Sequence, residues 1–137
     1  MKKRTASAPS PAALAAVGWL LPGGGYLLLR RYRQFAWFLL LVSAATAAGV
    51  LLRGGILWPS PAETQGLDGL AALLARAGAL AKAMAGAPYL LVRALGYSQT
   101  YLDGCLHEYG NVLLSVAGLL NLMALADAWS LKGAPRV

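Results

Sequence analysis

Charge is what this chain has least of. Only 12% of its 137 residues are charged, where a soluble domain carries about 25%. The shortfall argues against a hydrated surface on all sides. Acidic residues are the scarcer sign, five against twelve Lys and Arg, for a net charge of +7. Cysteine and histidine occur once each, as Cys105 and His107. One cysteine excludes an intrachain disulfide, and the two together argue against a four-ligand structural zinc site.

Apolar residues make up 58% of the chain, gathered into long runs. The basic residues flank these runs, as Lys2, Lys3 and Arg4 and again as Arg30, Arg31 and Arg33. A nucleic-acid surface collects such residues on a folded face. At the ends of apolar runs they read as topology signals and lipid-headgroup contacts, so no nucleic-acid partner is expected. The opening Met1-Lys-Lys-Arg, followed by apolar Ala12–Leu21, imitates a secretory signal. No small-x-small cleavage site follows it, so the segment is expected to be retained.

The chain divides into a polar tail over 1–11, an apolar hairpin over 12–52, a loop region over 53–110, an apolar helix over 111–129 and a polar tail over 130–137. Crossing the hydrocarbon takes a helix of about 17–25 apolar residues. Ala12–Leu29, Phe35–Leu52 and Asn111–Trp129 reach that length, and open strands cannot stand in lipid. The expected fold class is all-α and integral to the membrane: three hydrophobic helices, the first kinked or re-entrant, plus one amphipathic interfacial helix over 67–84. On that helix Leu67, Leu70, Leu74, Ala77, Ala81 and Met84 share one face, with Asp68, Arg76 and Lys82 on the other. The leucine face is expected to lie in the interface, on a partner, or over the chain's own loops. Tyr89–Tyr97 is too short to span, and 97–108 reads as loop. No internal repeat is evident.

Two topologies compete. If the first segment spans, the clusters Lys2–Arg4 and Arg30–Arg33 lie on opposite sides, which conflicts with the positive-inside rule. If it re-enters, bent at Pro22, Gly23, Gly24 and Gly25, both clusters and the C-terminus share the cytoplasmic side. A backbone break at membrane depth must then be covered by protein or water. Three spans is the commoner arrangement and is the one expected.

The Pro22–Gly25 run lacks the Lys-Ser/Thr of a phosphate cradle, so it reads as a membrane break. Ala117, Asn121, Ala124 and Ala128 follow helical spacing on one face of the last segment. Small residues let helices approach closely, and a membrane Asn adds a hydrogen bond; this face is expected to be a helix-packing interface with another protein. Asp127, near the helix end, is expected to reach the interface. His107 and Glu108 have no nucleophile placed to complete a triad. His107, just before the last segment, is a candidate axial ligand to a haem iron or a chlorophyll magnesium. Trp19, Trp37, Trp58 and Trp129, with Tyr26, Tyr32 and Tyr109, read as an aromatic belt.

Gly18-Trp-Leu-Leu-Pro-Gly-Gly-Gly-Tyr-Leu-Leu-Leu-Arg30 resembles the opening of small bacterial membrane proteins related to TM2-type domains. Tyr26 stands where that pattern has His, so no role is carried over from that position. Ala87-Pro-Tyr-Leu-Leu-Val-Arg93, Gly96-Tyr97, Glu108-Tyr-Gly110, Ala117-Gly-Leu-Leu-Asn121 and Asp127-Ala128 resemble an uncharacterised bacterial family of acidobacterial type. The resemblance implies membrane location and supplies no catalytic residue.

These readings lead to a non-enzymatic accessory subunit of the bacterial inner membrane, multi-pass, with larger membrane-protein subunits and lipids as partners. It carries no intrinsic cofactor, but contact with (bacterio)chlorophyll, carotenoid or lipid of the larger complex is allowed for. A photosynthetic reaction centre is the specific expectation, suggested by the acidobacterial resemblance. The alternatives are a respiratory-complex subunit, or a stand-alone channel, transporter or lipid-interacting homo-oligomer using Asn121 and Asp127.

Overall fold

The computed structural model describes residues 10–56, 58–59, 65–97 and 105–133. The Lys2–Arg4 cluster and the tail beyond Gly133 lie outside them. Every element among the described residues is an α-helix. They are α1 Pro11–Leu20, α2 Gly24–Leu28, α3 Tyr32–Leu51, α4 Gly69–Ala83, α5 Ala87–Ala94 and α6 Cys105–Gly133.

Local chemistry sets the starts. Ser10 caps α1 by accepting from the Ala13 amide at 3.1 Å, with Pro11 in the first turn where no N–H is needed. Asp68 caps α4 in the same way at 3.0 Å. Two helices, α3 and α6, are long and apolar enough to cross a membrane. They run antiparallel. Phe35 and Phe38 pack by Ala124 and Ala128, Val42 by Leu114 and Ala117, and Gly49 by Gly110 and Leu114.

The first apolar segment is two short helices folded back on each other. A Cβ on Gly24 would strike the Val17 carbonyl, and one on Gly18 would lie 3.5 Å from the Gly25 nitrogen. A merely kinked helix would keep these residues about 10 Å apart along its axis. α1 comes in beside Leu125 and reaches Asn121; α2 returns past Asp127 and Ala128. The expected single span is thus corrected to a hairpin, because Pro22 and Gly23 (φ +73°) stop α1 and reverse the chain.

A second hairpin approaches from the other end. α4 packs along α6 until Ala81 meets Gly118 and Met84 meets Asn121. The chain then turns by 100° into α5, which leads back to Ile56 and Val50 through the Tyr89 and Tyr97 hydroxyls. The two hairpins match in sequence where they reverse: Gly23-Gly-Gly-Tyr-Leu-Leu-Leu-Arg30 against Gly86-Ala-Pro-Tyr-Leu-Leu-Val-Arg93. Both leading glycines have positive φ, +73° and +72°, and both tyrosines are buried. Each hairpin precedes one long helix, and those helices are antiparallel. The likeness is confined to these eight residues and to the shared turn geometry.

The helix expected over 67–84 runs from Gly69 to Ala83. Leu67, Leu70, Leu73, Leu74 and Leu80 face outward, while Ala79 is buried and Lys82 points inward to Asn111. Small residues give close backbone approach in lipid, and leucines gain nothing there by leaving hydrocarbon. Of the loop expected over 97–108, residues 98–104 lie outside the described residues, and Cys105 to Glu108 belong to α6.

Candidate functional site

Asn121 hydrogen-bonds both hairpin reversals through its side chain. Its Nδ2 donates to the Trp19 carbonyl at 3.0 Å and to the Met84 carbonyl at 2.9 Å. Its Oδ1 accepts from the Gly23 amide at 3.2 Å. The carbonyls belong to the ends of α1 and α4, and the amide caps α2. These are the backbone groups a helix end leaves without intrahelical partners. Asn121 is 1% exposed and sits about 24 Å from one end of α6 and about 18 Å from the other. The reversals also touch directly, since a Cβ on Gly86 would run into the Trp19 carbonyl.

Ala117, Ala124 and Ala128 are buried with Asn121. The stripe packs within the chain: Ala117 in the cluster of Val42, Tyr89 and Leu114, Ala124 and Ala128 around Tyr26. The partner-protein face expected there is already occupied by this chain's own helices. Pro22, Gly23, Gly24 and Gly25 form the first reversal and its return turn, all buried.

A second polar group joins α4, α6 and the segment after α3. The Lys82 Nζ donates to the Gly55 carbonyl at 2.7 Å and to Asn111 Oδ1 at 2.6 Å. Asn111 Oδ1 also accepts from the Gly55 amide at 2.9 Å. Its Nδ2 donates to His107 Nε2 at 2.9 Å, so the proton of the ring sits on Nδ1, which donates to the Arg53 carbonyl at 2.8 Å. Axial metal ligation through Nε2 would have to break the Asn111 bond. These groups border a cavity of about 770 Å³ between α4 and α6. Sequence reasoning placed Lys82 on the polar face of its helix and so missed this cluster. The i, i+4 pair His107 and Asn111 was its one visible signal.

A third feature lies at the Tyr32 end of the long helices. The Tyr26 hydroxyl donates to Asp127 Oδ2 at 2.6 Å, and its ring stacks on Phe38 at 5.3 Å between centroids. Asp127 itself is exposed. Tyr26 therefore leaves the expected aromatic belt for the core, while Trp19 gives only its backbone carbonyl to Asn121 and keeps an exposed ring. Tyr26→Phe keeps the stacking and removes the hydroxyl. It is expected to lower stability by about 1 kcal/mol, read as a shift of the unfolding transition in detergent. Nearby, Arg30, Arg31, Arg33 and Trp37 line a cavity of about 630 Å³. Among the described residues no cluster of His, Cys, Asp and Glu could hold a metal ion.

The architecture is that of an all-helical membrane protein: two helices of spanning length, with two broken helical hairpins joined between them. The chain belongs to DUF6677, a family of unknown function whose model matches residues 13–136. No curated protein and no solved structure matches it.

Proposed function

We propose that this is a non-catalytic structural protein of the bacterial cytoplasmic membrane, with two spans and two opposed re-entrant hairpins, acting as a small subunit of a larger membrane assembly. The observation behind this reading is where the polar side chains go. Asn121, Asn111 and Tyr26 hold the chain's own helices, and Lys82 spends two of its three donors there. The outer surface left over is apolar, with Trp37, Leu40, Leu41, Leu119, Leu122 and Met123 exposed. That surface, and not the alanine stripe, is what larger subunits or lipid would cover. A channel through Asn121 has less support, since three hydrogen bonds occupy that side chain within the chain. A pigment ligand at His107 has less support for the same reason.

In this topology both ends of the first hairpin, Arg30–Arg33 and Lys132 face the cytoplasm, as the positive-inside rule requires. Cys105 faces the opposite side. Its thiol, exposed at the start of α6, is expected to react with a membrane-impermeant maleimide in intact cells. Ala12→Cys, in a Cys105→Ser background, should react only after permeabilisation. Labelling of both in intact cells would replace the re-entrant hairpin with a span. The subunit role is tested by purification in mild detergent. Migration as a lone 14.3 kDa species, without a co-purifying larger protein, would sink it.

A further inference from the structure

The cavity between α4 and α6 has one polar end and long apolar walls. At the polar end lies the Lys82 ammonium. It makes two hydrogen bonds, both to neutral oxygens. No carboxylate pairs with it among the described residues, and an ammonium carries three donors. Ser115 also lines the cavity, and its hydroxyl donates to the Asn111 carbonyl at 2.9 Å. Leu74, Val112, Val116 and Leu119 form the walls. All four are exposed although they line a cavity. The volume, about 770 Å³, lies within the roughly 300–1,000 Å³ of small-ligand sites.

The depth of the polar end decides the class of ligand. Asn111, which holds Lys82, begins the uncharged run of α6. In the two-span topology that level is the headgroup region of the non-cytoplasmic leaflet. A cation there, with hydrocarbon walls running inward from it, matches an amphiphile with an anionic head. We infer that this groove is a binding site for an anionic phospholipid, its phosphate on the Lys82 ammonium and one acyl chain along Leu74, Val112, Val116 and Leu119. The inference rests on the membrane topology proposed above, but not on the subunit role. The phosphate completes the third donor of Lys82 by a charge-assisted hydrogen bond and supplies a counter-charge that no described residue supplies.

The test is native mass spectrometry of the full chain in mild detergent, titrated with phosphatidylglycerol, phosphatidylcholine or palmitate. The wild type is expected to retain one phosphatidylglycerol and to hold phosphatidylcholine about tenfold less tightly. Lys82→Gln should lose about the same factor, and Lys82→Arg should restore most of it. Val116→Trp fills the wall without touching the charge and should also expel the lipid, which covers the case in which Lys82→Gln fails to fold. Palmitate bound as tightly as phosphatidylglycerol would overturn the assignment to a phospholipid. Retention that survives Lys82→Gln and Val116→Trp but is lost in Arg30→Gln/Arg33→Gln would move the lipid to the basic face and overturn the site. These outcomes are independent of Cys105 labelling, so failure of the topology and failure of the site are distinguishable.

Discussion

Asn121→Leu is expected to be among the most destabilising single substitutions in this chain, by about 3 kcal/mol or more. Leucine keeps the branched outline but is bulkier, so overpacking adds to the loss without being the whole of it. The rest is three partners at once: the Trp19 and Met84 carbonyls and the Gly23 amide. Each is a helix-end group, the Gly23 bond buried and the other two part-buried. A buried group left unpaired costs about 1–3 kcal/mol, and membrane hydrogen bonds measured singly fall near the low end of that range. Both hairpins would loosen together, because both reversals lose the same side chain. Asn121→Asp separates shape from donation. It keeps the outline but sets a carboxylate against two carbonyls, so it is expected to be at least as damaging. Equilibrium unfolding in mixed micelles, followed by tryptophan fluorescence, reads both. A stability within 1 kcal/mol of wild type for Asn121→Asp would show that Asn121 does not hold the junction.

Glycine substitutions give the second large effect, and they divide sharply by position. A Cβ on Gly118 would collide with the Ala81 carbonyl, and one on Gly86 with that of Trp19. Both obstacles are backbone, so no rotamer change relieves them. Gly86 also has φ +72°, which a side chain disfavours. Overpacking of this kind costs roughly 1–3 kcal/mol, and the backbone strain at Gly86 adds about 1–3 more. Gly118→Ala is therefore expected to push α4 off α6, Gly86→Ala to push the second reversal off the end of α1, and both to lower the unfolding midpoint strongly. Gly78→Ala is the contrast. It lies in the interior of α4, with nothing within 4 Å of the added carbon. There alanine should stabilise by about 0.5–1 kcal/mol through helix propensity. Equal losses at all three sites would refute the close approach at the junction.

Some of this was legible in advance. The two long helices followed from run length alone. The break at Pro22–Gly25 was visible, as was the small-residue face bearing Asn121. What that face meets was not visible. Its spacing says that a helix packs there, but the groups bonded to Asn121 are backbone carbonyls and an amide, which carry no residue signature. That Lys82 lies opposite the leucines was legible; that this face turns inward was not, for a different reason. Wheel reasoning sends leucines inward and charges outward, as water demands. In hydrocarbon the preference weakens, and α4 packs through Ala79 and Ala81 while Lys82 reaches across to Asn111.

The scarcity of charge and the apolar runs determined by themselves that this is a helical chain suited to a membrane. They also marked where helices must stop, because proline and glycine act locally. Tertiary structure alone decided that the first segment folds back, that a second hairpin opposes it, and that Asn121 joins the two. The physical reason is that a helix end buried away from water needs partners, and only the folded chain shows which side chain supplies them.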